Sequence, residues 1–146
     1  MALHHKRAGG TKWLCNADAG PLACNEWALR RRALPFLERR LVEIWAHESP
    51  GGKTMPRLTF GPGMVWQGQR VSFCHGHSHI ELAAGQRNVR TLIHEITHAL
   101  GHPWHNNGFI RRYLGLLARY GRYDADLIAE VAASRGLTAP QKPRRP

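Results

Sequence analysis

The stretch His94-Glu95-Ile96-Thr97-His98 places two imidazoles and one carboxylate on neighbouring turns of a predicted helix. Residues four apart lie on the same face of an α-helix, so His94 and His98 can bind one metal ion together. Glu95 lies about 100° round the helix from His94, outside the ligand pair but within reach of a metal-bound water. In this His-Glu-x-x-His pattern the two His bind zinc and the Glu is the general base. We therefore predict His94 and His98 as metal ligands and Glu95 as the catalytic residue.

The residues around this motif predict a short helix with defined ends. Asn88 is a good N-cap, because its side chain can accept a hydrogen bond from the backbone of the first turn. Gly101 followed by Pro103 is a typical helix stop. Between them, apolar residues recur at helical spacing, namely Val89, Leu92, Ile93, Ile96, Ala99 and Leu100. The motif is therefore predicted on a half-buried helix from Asn88 to about Leu100.

Two His ligands are too few for a catalytic zinc site, which usually has three protein ligands and one open position. His102 is one turn beyond His98, but the Gly and Pro on either side of it should end the helix there. His105 follows that turn and precedes a second apolar-periodic run, so it would be held firmly. We predict His105 as the third ligand, with His102 as the alternative and Glu130, on a later helix, as a further candidate.

The chain resembles a known group of enzymes in this region. Residues 91–100 read Thr-Leu-Ile-His-Glu-Ile-Thr-His-Ala-Leu, and a short Gly/His/Pro segment leads to His105-x-x-x-Phe109. These residues are similar to the metal helix and the third-ligand segment of the SprT-like zinc metallopeptidases. They also resemble related small zinc metallohydrolases of actinobacteria and their phages. The resemblance covers residues 78–137.

This resemblance implies a zincin-like fold and the hydrolysis of peptide bonds. Carried over by position, it implies that His94, His98 and His105 hold the zinc, that Glu95 is the base, and that Phe109 packs behind the third ligand. The better-known SprT-like enzymes degrade proteins attached to DNA, so the resemblance also implies DNA as a partner. The metzincin pattern is excluded, because it needs a His six residues after the second ligand, where this chain has a Trp.

The composition is that of one ordinary globular domain. The chain has 146 residues, of which 42% are hydrophobic, and no apolar run approaches the roughly 20 residues of a membrane span. Its start lacks the apolar core of a secretory signal, so we expect a cytoplasmic protein without a membrane partner. Cys15, Cys24 and Cys74 show no Cys-x-x-Cys pairing, which favours buried free thiols over a disulfide framework or a zinc ribbon.

Basic residues greatly outnumber acidic ones. With 21 Lys plus Arg against 10 Asp plus Glu, the formal net charge is +11 at pH 7. Such an excess favours contact with polyanions, nucleic acid first among them. A solvated basic surface is the alternative, because no base-reading motif accompanies the charge. The basic residues cluster on two predicted helices and in the tail: Arg30, Arg31, Arg32, Arg39 and Arg40; Arg111, Arg112 and Arg119; Lys142, Arg144 and Arg145.

The order of predicted elements is that of a small α+β protein. A helix over residues 25–48, kinked or split near Pro35, precedes several short strands. The strands are separated by Gly-containing turns and occupy residues 58–60, 64–66, 70–74 and 79–83. Because the turns at 61–63 and 67–69 are typical of hairpins, we expect a short antiparallel sheet.

Three helices follow the sheet: the metal-binding helix and two more at about 108–120 and 124–135. Together these elements predict a zincin-like domain over residues 23–137. The flanking segments are rich in small, basic or proline residues, so we expect a flexible basic arm at 1–22 and a flexible tail at 138–146.

The strand at 79–83 comes last before the metal helix, so we expect it to border the cleft. An exposed edge there could accept an extended peptide. His75, His77 and His79 alternate and would share one face of a strand. We favour substrate hydrogen bonding or solvation for them over a second metal site with Cys74. Peptide hydrolysis also needs an oxyanion donor, for which the candidates are a cleft-facing His, Tyr113, Tyr120 and Tyr123.

These observations lead to one preferred function and two alternatives. The preferred hypothesis is a zinc-dependent metallopeptidase in which Glu95 activates a zinc-bound water against a protein or peptide substrate. The first alternative is a hydrolase that uses the same centre on an amide outside a peptide. The second is a nucleic-acid-binding regulator with a structural or vestigial zinc site. The presence of Glu95 argues against the second, because a structural site needs no general base.

Overall fold

A computed structural model describes residues 20–138, which form five α-helices, a three-stranded sheet and a two-stranded sheet. After a 3₁₀ turn at Pro21–Cys24 come the helices α1 (Glu26–Leu29), α2 (Leu34–Glu48), α3 (Val89–Ala99), α4 (Asn107–Tyr120) and α5 (Ala125–Ser134). Between α2 and α3 lie the strands β1 (Arg57–Phe60), β2 (Met64–Trp66), β3 (Gln69–Val71), β4 (Phe73–His75) and β5 (His79–Leu82). The predicted α+β class is confirmed.

The main sheet is mixed, which corrects the prediction of an antiparallel sheet. Its strand order is β1-β5-β4, with β1 parallel to β5 and β4 antiparallel to it. The predicted hairpin across residues 61–63 is wrong, because β1 pairs with β5 instead of β2. Two contacts divert the chain: the Gly61 N–H donates to the Leu82 carbonyl, and the Gly63 N–H donates to the Glu81 carboxylate at 2.8 Å.

The second predicted hairpin is confirmed as a separate two-stranded sheet of β2 and β3. Met64 pairs with Val71 and Trp66 with Gln69, which leaves a two-residue loop. Both loop residues have positive φ, 50° at Gln67 and 77° at Gly68. This is the condition for a type I′ turn, whose twist matches that of the flanking strands.

The strand expected to offer a free edge is in fact the centre of the main sheet. β5 is paired on one side with β1 and on the other with β4, so the prediction that residues 79–83 accept a peptide is wrong. The strand beside it, β4, packs against α3 and is the edge nearest the metal helix. Three consecutive short strands leave this order undetermined by sequence pattern alone.

The N-terminal helix is split as predicted. α1 ends at Leu29, and Pro35 lies in the first turn of α2, where its missing N–H costs nothing. The predicted arm and tail lie almost wholly outside the described residues. However, Leu22, the last residue of that arm, is fully buried, so the folded domain begins before residue 23. No helix within residues 20–138 is both long and apolar enough to cross a membrane.

The core is built around α3. Ten of the eleven residues of this helix are buried, more than the half-buried helix predicted from its apolar stripe. It packs against α1, α2, α4 and the strands β4 and β5. A polar cluster joins two of its neighbours, because Glu48 at the end of α2 accepts hydrogen bonds from Arg112, Arg119 and Tyr120 of α4. The metal helix is therefore held from several sides.

Candidate metal centre

The metal helix begins and ends where the sequence predicts. The Asn88 side chain accepts a hydrogen bond from the Thr91 N–H at 2.8 Å, and Gly101 follows the last turn with φ of 111°. A side chain would strain the backbone at that value, so glycine allows the chain to turn sharply. Both His94 and Glu95 are 5% exposed, which means that the helix presents them from a buried position.

The turn after Gly101 orients the second candidate ligand, His98. The His98 Nδ1–H donates a hydrogen bond to the His102 carbonyl at 2.7 Å. Because a carbonyl can only accept, Nδ1 carries the proton, and the lone pair of neutral His98 lies on Nε2. Metal-bound His residues commonly have such a partner on their other nitrogen. The backbone of His102, and not its ring, thus serves the site.

The start of α4 positions the third candidate ligand, His105. The Asn106 side chain accepts a hydrogen bond from the Phe109 N–H at 3.0 Å and so caps this helix. His105 immediately precedes the cap. Its Nε2 is 3.1 Å from His94 Nε2 and also 3.1 Å from His98 Nε2.

Three imidazole nitrogens therefore converge on one point. The ligand atoms of His94, His98 and His105 all lie within 4.8 Å of one another, and no other such group of three occurs within residues 20–138. In a tetrahedral site with Zn–N distances of about 2.0–2.1 Å, two ligand nitrogens are about 3.3 Å apart. The observed spacing fits a metal ion of this size. The three His residues are thus close enough to hold one metal ion, as predicted.

Aromatic rings pack behind the three converging imidazoles. The Phe109 ring centroid is 5.0 Å from that of His94, 4.6 Å from His98 and 4.8 Å from His105. Tyr113, one turn later on α4, has its ring centroid 5.4 Å from that of His94. Phe109 therefore contacts all three imidazoles rather than the third alone, and this packing restricts their orientation.

The Glu95 carboxylate lies beside the ligand group and not within it. Its Oε2 is 4.0 Å from His94 Nε2. Burial raises the pKa of this carboxyl to about 8, because a low-dielectric environment disfavours the charged form. Burial also lowers the pKa of the His98 imidazole, although its hydrogen bond to the His102 carbonyl acts in the opposite direction. Neutral imidazoles are the form that a metal requires.

The other candidate ligands lie elsewhere. His102 is outside the converging group, and burial together with the nearby charges of Arg112 and Lys53 lowers the pKa of its ring. Glu130 is exposed on α5. Of these three candidates for the third position, only His105 belongs to the converging group.

A cavity of about 830 Å³ opens beside the three imidazoles. Helix α3 contributes Arg90, Thr91 and Glu95 to its walls, and β4 contributes Phe73 and Cys74. Further apolar side chains come from the β2–β3 hairpin and from the loop between the second and third ligands. A cleft of this volume is in the usual range for a binding site.

The alternating His residues do not share one strand face, contrary to the prediction. His75 and His79 are paired across β4 and β5, whereas His77 lies in the turn between them. His79 is hydrogen-bonded to Thr59, while His77 lines the cavity and its Nδ1–H donates to the Ala99 carbonyl at 3.0 Å. None of the three belongs to the converging group found among the described residues.

Two of the three candidate tyrosines are engaged away from the cavity. Tyr120 donates its hydroxyl proton to Glu48, and Tyr123 donates to the Leu22 carbonyl at 2.6 Å. Two of the three cysteines are described, and both are free: Cys24 is exposed and Cys74 is partly buried, so the prediction of buried thiols is wrong for Cys24. Burial raises the pKa of the Cys74 thiol to about 12.

Several residues of the cleft were not identified from the sequence. Arg90 is buried one turn before His94 and lines the cavity, and its only signal is a charge inside the apolar stripe of α3. The role of the His102 carbonyl has no sequence signal at all, because it belongs to the backbone. Comparisons with protein-family models, curated proteins and solved structures found no match for this chain.

Proposed function

We propose that this protein is a zinc-dependent metallopeptidase of the SprT-like kind. The observation that carries the proposal is the convergence of three imidazoles, in which His105 Nε2 lies 3.1 Å from the Nε2 atoms of both His94 and His98, with the buried Glu95 carboxylate next to them. Three His ligands leave one position of a tetrahedral zinc ion open, which is typical of catalytic rather than structural sites. A purely structural site would have no use for Glu95.

Glu95 is the general base in this proposal. When bound, Zn²⁺ supplies a water of lowered pKa and polarises the carbonyl under attack. Glu95 accepts the proton of the attacking water and passes it to the leaving amine. A neighbouring cation favours the ionised carboxylate, which opposes the effect of burial on the Glu95 pKa. The burial of Glu95 also keeps bulk water from competing for this proton transfer.

His77 is the residue that we propose as oxyanion donor. It lines the cavity, and its bond to the Ala99 carbonyl fixes the ring against the end of α3. Because Nδ1–H donates to that carbonyl, Nε2 is the ring atom that remains for a substrate. Nε2 can donate a hydrogen bond to the oxyanion when the ring carries both protons. Such a donor is typically worth 10²- to 10³-fold in turnover.

A peptide suits the cleft better than a small amide. The cavity runs beside β4, and within the described residues no strand covers the outer edge of β4. An extended peptide can pair with such an edge through its own backbone. A small amide would need no such edge, which makes the first alternative the weaker interpretation of this surface.

The basic surface supports a polyanion, DNA in particular, as a second partner. Arg32 and Arg40 lie over the Phe36 ring at 4.4 Å and 5.5 Å, and Arg122 lies over Trp27 at 4.0 Å. Arginine next to aromatic rings is a combination that single-stranded nucleic acids bind. In this proposal DNA concentrates the enzyme near protein substrates and plays no part in hydrolysis.

The proposal is tested by loading the purified protein with Zn²⁺ and incubating it with an unfolded protein such as reduced, carboxymethylated albumin. We expect one zinc per chain by elemental analysis and cleavage that stops when a chelator removes the metal. Cleavage should return on adding Zn²⁺, which separates metal loss from irreversible unfolding. Stoichiometric zinc without cleavage of any unfolded protein would contradict the peptidase proposal and favour the non-peptide amidase.

A further inference from the structure

One face of the β2–β3 hairpin forms an apolar wall of the cleft. Side chains alternate between the two faces of a strand, so Met64 and Trp66 lie on one side and Val65 on the other. Val71 is the cross-strand partner of Met64 and shares its face. Met64, Trp66 and Val71 all line the cavity, as this alternation requires, whereas Val65 does not.

This wall is apolar but incompletely buried. Met64 is 49% exposed and Trp66 is 37% exposed. The loop between the second and third ligands adds Trp104, which is 59% exposed and also lines the cavity. Exposed large apolar side chains that are concentrated at one cleft typically mark a binding surface.

The wall is continuous with the edge strand. β3 ends at Val71 and β4 begins at Phe73, and the residue between them is fixed because the Ser72 N–H and hydroxyl both donate to the Gln86 side chain, at 2.7 and 2.8 Å. A segment laid along β4 would therefore pass from the converging imidazoles to the hairpin. Its side chains would project alternately, one set of them towards the apolar wall.

We infer that the cleft face of the hairpin is a specificity subsite for a large apolar side chain of an extended peptide. Met64, Trp66 and Val71 form one part of it, and Trp104 forms the other. This inference rests on the proposed function for its substrate class. It adds that Phe, Leu, Met or Trp near the scissile bond is preferred over small or charged residues, because only an apolar side chain gains from covering this surface.

A randomised decapeptide mixture tests the preference. The zinc-loaded protein is incubated with the mixture, and the new termini are sequenced by mass spectrometry. We expect large apolar residues to be enriched at one fixed position relative to the cleaved bond. Trp66→Ala should lower kcat/KM for such peptides on the order of tenfold or more, the range for losing apolar contacts in a pocket. For peptides with Ala at that position the change should be small.

Val65→Ala is the matched control, since Val65 is 58% exposed on the opposite face of the same strand. It should leave the preference unchanged. Met64→Ala is a second cleft-face variant in case Trp66→Ala fails to fold. Cleavage without an apolar preference, or a preference unaffected by both cleft-face variants, would overturn the subsite while leaving the peptidase proposal intact.

Binding separates this inference from the proposed function. The zinc-loaded Glu95→Gln variant is titrated with two decapeptides that differ only in Phe or Ala at one central position, scanned along the peptide. Tighter binding of the Phe peptide that is lost in Glu95→Gln/Trp66→Ala would support the subsite even if the wild-type protein cleaves nothing. Equal binding of both peptides at every position, or none, would overturn it.

Discussion

At the scale of single residues, the proposed mechanism assigns metal binding and proton transfer to different side chains. His94, His98 and His105 converge on one point, and the Phe109 ring packs against all three imidazoles. Glu95 lies 4.0 Å from the nearest ligand nitrogen and is buried in the body of the protein. Variants of the ligands and of Glu95 should therefore have different consequences.

Glu95→Gln should retain zinc and lose activity. The amide is nearly isosteric with the carboxyl and leaves all three imidazoles in place, but it cannot accept the proton. We expect turnover to fall on the order of 10²- to 10⁴-fold, the usual contribution of a positioned acid–base group. Elemental analysis and peptidase assays on the same preparation measure both quantities. Normal turnover in this variant would rule out the proposed mechanism.

His105→Ala and His102→Ala form a matched pair. His105→Ala removes one of the three converging nitrogens and should release most of the zinc. His102→Ala should retain the metal, because the atom that His98 uses is the backbone carbonyl, which alanine keeps. Metal content after dialysis distinguishes the two variants. Zinc retained in His105→Ala and lost in His102→Ala would reassign the third ligand.

His77→Ala should lower turnover about 10²-fold without loss of zinc, if His77 stabilises the oxyanion. His75→Ala is the control, since His75 is exposed at the end of β4 and does not line the cavity. The effect should fall on kcat more than on KM, because the interaction strengthens only as charge develops. An equal and small effect of both substitutions would remove His77 from the mechanism.

At the scale of elements, local signals predicted the site and long-range pairing was missed. The helix that carries His94 and His98 begins after the capping residue Asn88 and ends just before Gly101. Both residues act on their immediate neighbours in sequence, so their effect can be predicted locally. Strand pairing depends on residues far apart in sequence, such as Arg57 with His79, and no turn signal reports it. The hairpin at residues 67–68 was predictable because Gly68 readily adopts the positive φ of 77° that a two-residue turn requires, whereas the positive φ of Gln67 has no signal in the sequence. The sequence did not predict that β4 is the edge strand, because this depends on the order of the strands in the sheet.

The ends of α2 and α4 should depend on Glu48. Its carboxylate accepts hydrogen bonds from Arg112 and Arg119 and, at 2.7 Å, from the Tyr120 hydroxyl. Glu48→Ala removes the acceptor of Arg119 and Tyr120 and leaves Arg112 only the backbone carbonyl of residue 48, so it should lower the free energy of unfolding by about 1–3 kcal/mol. Glu43→Ala is the control, because the Glu43–Arg40 pair is exposed and worth about 0.5 kcal/mol or less. Urea unfolding measures both, and equal effects would contradict a structural role for Glu48.

At the scale of the whole molecule, the arginines differ in whether an acidic side chain neutralises them. Arg112 and Arg119 are paired with Glu48, so the α4 cluster is partly neutralised within the fold. On the α2 side, Arg31 and Arg39 are exposed. Burial, together with repulsion from Arg30, Arg122 and Arg40, lowers the pKa of the Arg32 guanidinium. A polyanion would relieve this repulsion, so the α2 surface is the better candidate for contact.

We therefore expect the protein to bind DNA with affinity that falls steeply with salt and depends little on base sequence. Each phosphate neutralised on duplex DNA should contribute about −0.9 to the slope of log K against log salt concentration. The double variant Arg31→Gln/Arg39→Gln should reduce the magnitude of that slope by about one to two. Arg57→Gln is the control, because Arg57 is an exposed residue of β1 outside the two helical clusters of arginines, and it should leave the slope unchanged. Titrations of one duplex and one single strand at several salt concentrations measure these slopes. Binding that is independent of salt, or absent at low ionic strength, would reduce Arg31 and Arg39 to ordinary surface residues. A net charge of +11 acts on DNA only through the phosphates that its basic side chains can reach.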